Sequence, residues 1–182
     1  RARNVNGKLI FDKDMELIVS SPLGDFCKSI ANAMLQNEKL ILGHNNLKVE
    51  EIQVVDNIVE KDEIKVETLS GIVAYSTMLK ADNSKYTHYF MPEERDFNRI
   101  VSENLIRKYN ALYNANLSLD DGIEIIALTK PKQLFSYYKN YIIKSVDGEF
   151  LIRGDRRLLQ LGLDAGFGSK NSQGFGCVSL VS

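Results

Sequence analysis

The sequence is poor in cysteine, has no long apolar run and carries almost no net charge. Its two cysteines, Cys27 and Cys177, lie in no CxxC motif and no Cys/His cluster, which argues against a structural zinc site. No run is apolar enough to cross a membrane and no signal peptide is recognisable, so we expect a cytoplasmic protein with reduced thiols. The net charge of −1 argues against a protein that binds polyanions over its whole surface.

The remaining composition is that of a globular protein. Hydrophobic residues make up 44% and charged residues 26% of the 182 residues, enough for one domain with a proper core. Because the sequence shows no repeat, low-complexity tract or linker, we predict a single domain over residues 1–182. The start at Arg1, without a methionine, predicts a processed or shortened chain.

The charges are distributed unevenly along the chain. Residues 1–129 contain 15 Lys/Arg and 20 Asp/Glu, a net charge of −5, whereas residues 130–182 contain 8 and 4, a net charge of +4. A basic surface formed by the second part would suit a polyanion. An imbalance of this size also arises by chance, so it decides nothing without support from a motif.

Apolar periodicity predicts a strand-helix-strand unit at each end of the chain. The first unit comprises a strand over 16–20, a helix over 22–36 and a strand over 47–55; the helix would be capped by Ser21 and would bury one face. The second unit comprises a strand over 150–153, a helix capped by Asp155, and a strand over 177–181. Together they predict an α+β, ferredoxin-like (RRM-like) fold, an antiparallel sheet with helices on one face.

The segments between these two units are predicted to be insertions. One is a hairpin over 72–91, and the next is a helix from residue 92 whose solvated face would include Arg107 and Lys108. Further along, an aromatic strand over 134–146 is followed by Asp147-Gly148, which predicts a hairpin turn into the strand at residue 150.

The most unusual segment is GFGSKNSQGFG, residues 166–176, in which two Gly-Phe-Gly triplets bracket five polar residues. Its glycine spacing matches neither the Walker loop nor the dinucleotide GxGxxG loop, and it connects a helix to a strand, the reverse of their context. Glycine permits positive φ and the close approach of another backbone. The loop is therefore able to press against a sugar-phosphate chain and donate backbone N–H groups to its oxygens.

Side chains around the loop are compatible with two interpretations. Donors at its tip are offered by Ser169, Lys170, Asn171 and Ser172, and Phe167 and Phe175 would pin its ends into the core. Arg156 and Arg157, in the first turn of the preceding helix, suit an anion at that helix end. A tight helix-to-strand connection explains the glycines equally well, and the residues alone leave both interpretations open.

The C-terminal sequence GLDAGFGSKNSQGFGCVSL resembles the glycine-rich motif of the CRISPR repeat-processing endoribonucleases, which belong to the RAMP superfamily of CRISPR-associated proteins. Three further segments, LSGIV before a hairpin, MPEERDFNRIVSENLIRKYNAL, and ALTKPKQ before the aromatic strand, resemble the middle of these proteins. The resemblance covers the chain from about Leu17 onward.

The resemblance implies two ferredoxin-like modules side by side, of which this chain would lack much of the N-terminal one. It implies cleavage of precursor CRISPR RNA within the repeat, by attack of a 2′-hydroxyl on the adjacent phosphate, with no metal or other cofactor. The general base, general acid and cation of such a reaction usually lie in the N-terminal module. The catalytic residues therefore stay unassigned, and we expect His44 at the surface of a turn and His88 half-buried in a hairpin.

The motif predicts which residues bind RNA. They are Gly166, Gly168, Ser169, Lys170, Asn171, Gly174 and Gly176, to which local charge adds Lys130, Lys132, Arg153, Arg156 and Arg157. The expected partner is CRISPR repeat RNA and not a membrane, while other CRISPR-associated proteins and a homodimer stay open. Two alternatives remain: a RAMP subunit that binds CRISPR RNA in an effector complex without cutting it, and an unrelated interaction domain with a purely structural loop, which the specificity of the motif disfavours.

Overall fold

The computed structural model describes residues 3–6, 8–11, 14–37, 39–139 and 141–181. Its strands and helices are β1 (Arg3–Val5), β2 (Lys8–Ile10), α1 (Gly24–Gln36), β3 (Leu40–Leu42), β4 (Asn45–Leu47), β5 (Glu63–Thr68), β6 (Tyr75–Leu79), β7 (Lys85–Tyr89), α2 (Arg95–Tyr113), β8 (Ile123–Ala127), β9 (Lys132–Tyr138), β10 (Tyr141–Asp147), β11 (Glu149–Gly154), α3 (Arg156–Ala165) and β12 (Val178–Leu180). Among these residues, no helix combines the length and the apolar character that a membrane span requires.

A four-stranded antiparallel sheet carries the core. Its strands lie in the order β12-β5-β11-β8, and the chain passes through β5, α2, β8, β11, α3 and β12 in turn. The chain thus contains two strand-helix-strand units, β5-α2-β8 and β11-α3-β12. The first strand of the first unit, β5, pairs with both strands of the second unit, and this interleaving is the ferredoxin-like arrangement. The fold class predicted from the sequence is therefore confirmed.

Alternation along the strands decides which sheet face the helices cover. In β5, Ile64 and Val66 are buried, whereas Glu63, Lys65 and Glu67 are exposed. The helices meet the buried face with fully buried side chains, namely Phe97, Val101, Leu105, Leu158 and Leu159. Each such side chain contributes about 1.5–3 kcal/mol when removed from water, so this layer between sheet and helices holds the fold together.

The first strand-helix-strand unit is not the one predicted. It runs from β5 through α2 to β8, so the helix predicted as an insertion is part of the frame. Residues 16–20 and 48–55 form no strand, and α1, which forms close to its predicted bounds, buries none of its residues. Periodicity identifies an amphipathic helix but not the surface it packs against; of the helices α1 and α2, it is α2 that packs against the sheet strand β8 and against α3.

The described residues between positions 14 and 58 contribute no buried side chain. The buried core begins at Val59 and extends to Val178. Before Val59, large apolar side chains remain open to solvent, among them Leu35 at 71% and Val54 at 82% exposure. The ferredoxin-like frame is thus built from the residues that follow position 58.

Two hairpins are inserted into the frame. β6 pairs with β7 between β5 and α2, with Tyr75 opposite Tyr89, which confirms the predicted hairpin. β9 pairs with β10 between β8 and β11, so the aromatic segment predicted as one strand forms a hairpin of its own. Asp147 and Gly148 consequently join β10 to β11 without pairing them, and the hairpin turn predicted there is wrong, because β11 pairs with β5 and β8 instead.

Candidate nucleic-acid interface

The glycine-rich loop, residues 166–176, connects α3 to β12 at one end of the sheet. At this end, which we call the loop end, β5 and β8 finish and β11 and β12 begin. Both hairpins leave the frame there: Val73 forms a parallel bridge with Gly168, and Ile72 forms an antiparallel bridge with Val146. Three segments that are distant in sequence are therefore joined into one backbone layer.

The two Gly-Phe-Gly triplets pair with each other and with the segment before β6. The N–H of Phe167, whose ring is fully buried, donates to the carbonyl oxygen of Gly176 at 2.9 Å. The N–H of Ser169 donates to Val73 at 2.8 Å, and that of Gly176 donates to Gly71 at 3.0 Å. The symmetry of the motif thus reflects backbone pairing inside the protein.

Gly168 and Gly176 are required for two separate reasons. Their φ angles are 74° and 76°, a region that is costly for residues with a Cβ. A Cβ on Gly168 would lie 2.5 Å from the carbonyl oxygen of Val73, and one on Gly176 would collide with that of Phe167. Both residues are buried, as is Gly166, so these glycines serve close packing of the protein's own backbone, and only Gly174 is exposed at the tip.

Asn171 closes the loop from inside. Its side-chain nitrogen donates to the carbonyl oxygens of Phe167 at 3.2 Å and Phe175 at 2.9 Å, which ties the two triplets together. Its side-chain oxygen accepts a hydrogen bond from Nζ of Lys108 at 2.6 Å. With its amide engaged on both sides, Asn171 shapes the loop and has no side-chain donor left over for RNA.

Lys108 reaches the same loop from α2. Besides Asn171, its Nζ donates to the carbonyl oxygens of Gly166 and Gly168, each at 3.1 Å, so all three ammonium N–H groups have uncharged acceptors. Burial lowers the pKa of Lys108 to about 8. The predicted place of Lys108 on a solvated helix face is wrong, because the loop packs over it, whereas its neighbour Arg107 is exposed as predicted.

The lowered pKa of Lys108 predicts that stability rises with pH above about pH 8. Between this value and the ordinary lysine value near 10.4, the unfolded chain holds more protons on this residue than the folded chain does. The free energy of unfolding should therefore increase with pH in that window. Urea unfolding at about pH 7.5 and about pH 9.5 measures the increase, and Lys108→Met should abolish it. An increase that persists in the variant would belong to another group.

Lys170 lies beside two tyrosines that the sequence analysis missed. It has a positive φ of 64°, and its Nζ lies 5.1 Å from the ring centre of Tyr75. The rings of Tyr75 and Tyr89 are 5.8 Å apart, and burial together with the neighbouring Tyr75 raises the pKa of Tyr89. A cation and two phenols thus meet next to the exposed tip. Tyrosines in a hairpin carry no local indication of the loop they approach, which is why they were missed.

The three predicted arginines lie at the other end of α3. Arg153 is paired with the carboxylate of Glu63, and Arg157 with that of Asp155. Arg156 donates to a backbone carbonyl oxygen at 2.9 Å. Since α3 has ten residues, its first turn lies about 15 Å from the glycine-rich loop. The structure therefore does not bring these arginines together with Lys170.

Lys130 and Lys132 lie at the loop end but among acidic residues. They line a shallow depression together with Glu67, Asp147 and Glu149. Three carboxylates around two ammonium groups leave this depression with a negative balance, which does not favour phosphate.

The β9–β10 hairpin exposes aromatic and basic side chains. The exposed aromatic residues are Phe135, Tyr137, Tyr138 and Tyr141. Lys144 is the cross-strand partner of Phe135, with Nζ 5.8 Å from the ring centre, and Lys139 lies 5.4 Å from the ring centre of Tyr138. Aromatic rings interleaved with cations are the combination that binds single-stranded nucleic acids, because bases stack on the rings while phosphates approach the cations.

The open face of the sheet, in contrast, is unsuited to RNA. Its exposed charged residues are Glu63, Lys65, Glu67, Glu124, Glu149 and Arg153. Four carboxylates outnumber two cations, and the one aromatic residue of the four strands, Phe150, is buried on the helix side. RNA binding over a sheet face requires exposed aromatic rings for stacking, so the loop end is the better candidate.

The two histidines lie where the sequence predicted. His44 is exposed in the turn between β3 and β4, and His88 is half-buried, with Nε2 3.1 Å from the carboxylate of Glu94. Alternate residues of a strand point to opposite faces, so His88 faces away from the side of the hairpin that carries Tyr75 and Tyr89. Neither histidine joins Lys170.

Residues 49–180, which include the loop and the whole sheet, match a known family model, that of CRISPR associated protein Cas6, C-terminal. The chain is 30% identical over 166 residues to CRISPR-associated endoribonuclease Cas6 1 of Methanocaldococcus jannaschii. That alignment covers 91% of this chain and 63% of the relative, so the chain spans less than two thirds of the relative's length.

Solved structures share the fold. One of a CRISPR associated protein Cas6 superposes with a TM-score of 0.73 at 26% identity, over 90% of this chain and 66% of that one. Another, of a RAMP protein binding different RNA substrates, has a TM-score of 0.76 at 23% identity, over 90% and 67%. These matches confirm the family resemblance predicted from the glycine-rich motif. The chain belongs to the Cas6 family of CRISPR-associated proteins.

Proposed function

We propose that this chain binds CRISPR repeat RNA at the loop end and takes part in processing precursor CRISPR RNA by endonucleolytic cleavage. The observation that carries the proposal is the juxtaposition of Lys170, at the tip of the glycine-rich loop, with two tyrosines and a neighbouring basic, aromatic hairpin. The relatives support it, since one is named an endoribonuclease and a neighbour of the same fold is described as binding RNA.

The RNA would cross the tip of the loop and continue along the β9–β10 hairpin. At the tip, Lys170 supplies the charge for a phosphate and the hydroxyl group of Ser169 supplies a hydrogen bond, whereas the N–H of Gly174 is already donated to the carbonyl oxygen of Asn171. On the hairpin, bases stack on Phe135 and Tyr137, which lie on one face about 7 Å apart along β9, and Lys144 on that face meets a phosphate. The buried glycines and Asn171 keep the loop in shape, and the paired arginines lie outside this path.

The reaction proposed is metal-independent transesterification within the repeat. The 2′-hydroxyl oxygen attacks the adjacent phosphorus and loses its proton to a general base, while the 5′-oxygen leaves and takes a proton from a general acid. The products carry a 2′,3′-cyclic phosphate and a 5′-hydroxyl. A cation beside the phosphate stabilises the charge that develops on the nonbridging oxygens.

The test is incubation of the chain with repeat RNA from its own CRISPR array in EDTA. We expect cleavage at one position, with products that end in a cyclic phosphate. Bound but intact RNA would contradict cleavage by this chain alone, and would mean either that the catalytic residues lie in the N-terminal module or that the alternative holds, a CRISPR RNA-binding subunit that does not cut. RNA that is neither bound nor cut would contradict the proposed function altogether.

A further inference from the structure

We propose that Lys108 is a positioning residue for RNA binding: its ammonium group holds the glycine-rich loop in the conformation that presents Lys170 at the tip. Lys108 itself does not touch RNA. The ordering of the loop stands on geometry alone, and the consequence for RNA rests on the function proposed above.

The geometry is that of a tripod. One ammonium group binds oxygen atoms from three positions of the loop: the carbonyl oxygens of Gly166 and Gly168, and the side-chain oxygen of Asn171. Gly166 is the first residue after α3, so the tripod ties the start of the loop to its middle. Asn171 in turn binds Phe167 and Phe175, one in each Gly-Phe-Gly triplet. Removing a single ammonium group therefore releases the loop at three points.

Lys170 depends on this arrangement because it directly precedes Asn171. The short 3-10 turn Asn171–Gln173 begins after Lys170, and the side chain of Asn171 fixes where that turn lies. A loop that is already ordered before RNA arrives does not lose conformational entropy on binding, which raises affinity. The effect of Lys108 on RNA thus passes through Asn171 to Lys170.

The environment of Lys108 also indicates that its role is positional. A half-buried ammonium group with three uncharged acceptors, and with no carboxylate partner among the described residues, is partly desolvated without a compensating charge, which costs stability. A methionine of similar length would fill the same space without that cost. What methionine cannot supply is the set of three hydrogen bonds to the loop.

The experiment compares variants of the chain in two measurements. Lys108→Met removes the tripod, Arg107→Ala removes an exposed cation one position earlier on α2 as a matched control, and Lys170→Ala removes the proposed phosphate contact. Amide hydrogen exchange reports the order of the loop, read at Ser169 and Gly176. Binding of labelled repeat RNA over a range of salt concentrations reports affinity and the number of phosphate contacts.

For Lys108→Met we expect faster exchange at Ser169 and Gly176, with core amides of β5 and β11 unchanged. RNA affinity should fall by about tenfold while the salt dependence keeps its slope, because no phosphate contact is lost. For Lys170→Ala the slope should fall by about 0.7 with loop exchange unchanged. Arg107→Ala should change neither measurement. Asn171→Leu should change loop exchange and RNA affinity as Lys108→Met does. The double variant should lose little more affinity than either single variant, since both substitutions break the same hydrogen-bond network.

Three results would overturn the proposal. The first is loop exchange and affinity in Lys108→Met equal to wild type. The second is faster exchange throughout the core, which would make Lys108 a residue of the fold rather than of the loop. The third is a reduced salt slope, which would make it a direct phosphate contact. If the wild-type chain binds no repeat RNA, the proposed function fails, and the exchange measurement alone decides whether Lys108 orders the loop.

Discussion

Replacing Gly176 by alanine is expected to lower the free energy of unfolding by about 3 kcal/mol, the combined cost of an unfavourable φ and of overpacking. Gly176 is buried with a φ of 76°, and a Cβ there would collide with the carbonyl oxygen of Phe167, its own backbone partner across the loop. Because that oxygen belongs to a residue fixed in the core, neither side can move aside cheaply.

Gly174→Ala is the matched control within the same loop. Gly174 also has a positive φ, 87°, but no atom lies within 4 Å of a Cβ placed there. Its cost should therefore be that of the conformation alone, about 1 kcal/mol. Urea unfolding of both variants measures the difference. Equal losses would show that crowding contributes nothing at Gly176 and would contradict the tight pairing of the two triplets.

Removing the two rings of one face of the β9–β10 hairpin, Phe135→Ala with Tyr137→Ala, is expected to weaken RNA binding by about 100-fold. Stacking of a base on an aromatic side chain is worth about 1–3 kcal/mol by alanine substitution, and two rings are lost. Tyr137 is 78% exposed and Phe135 is 54% exposed, so the fold should lose little. Titration of labelled repeat RNA measures the affinity, and thermal unfolding checks the fold.

The opposite face of the same hairpin provides the control. Tyr138 and Tyr141 are direct cross-strand partners there, and both are exposed. Their double alanine variant removes the same number of rings from the same hairpin but should leave affinity within about threefold of wild type, since the proposed RNA path runs over the other face. If this variant lost the affinity and the first one kept it, the RNA path assigned to the hairpin would be wrong.

The second half of the frame could be predicted from the sequence because its indications are local. Asp155 caps α3 by accepting from the N–H of Arg157, and the loop follows the helix immediately, so neighbouring residues fix both elements. The first half could not, because strand pairing is decided at long range. The apolar residues 17–19 look like a strand, yet they are exposed, while the strand that occupies the centre of the sheet, β5, is half charged.

The site shows the same division between local and distant information. Positive φ at Gly168 and Gly176 is a property that the repeated triplets indicate by themselves. The backbones of these glycines approach Val73 and Phe167 and not a phosphate chain. This outcome depends on which segment of the fold packs against the loop, and no local sequence pattern indicates that segment. Lys108 is the clearest case, since its spacing on α2 is that of a solvated position and the loop packed above it leaves it half-buried.

The pairing of β5 has a consequence for how the protein is made. Val66 in β5 pairs with Leu180 in β12, about 110 positions further along the chain. The carbonyl oxygen of Gly71 likewise accepts its hydrogen bond from a distant residue, Gly176. A chain emerging from the ribosome can close the β9–β10 hairpin early, because its two strands are adjacent in sequence. It cannot assemble the loop until residue 180 has been translated. Nascent chains should therefore lack the contacts that the loop makes with RNA, and these contacts should form in one late step of folding.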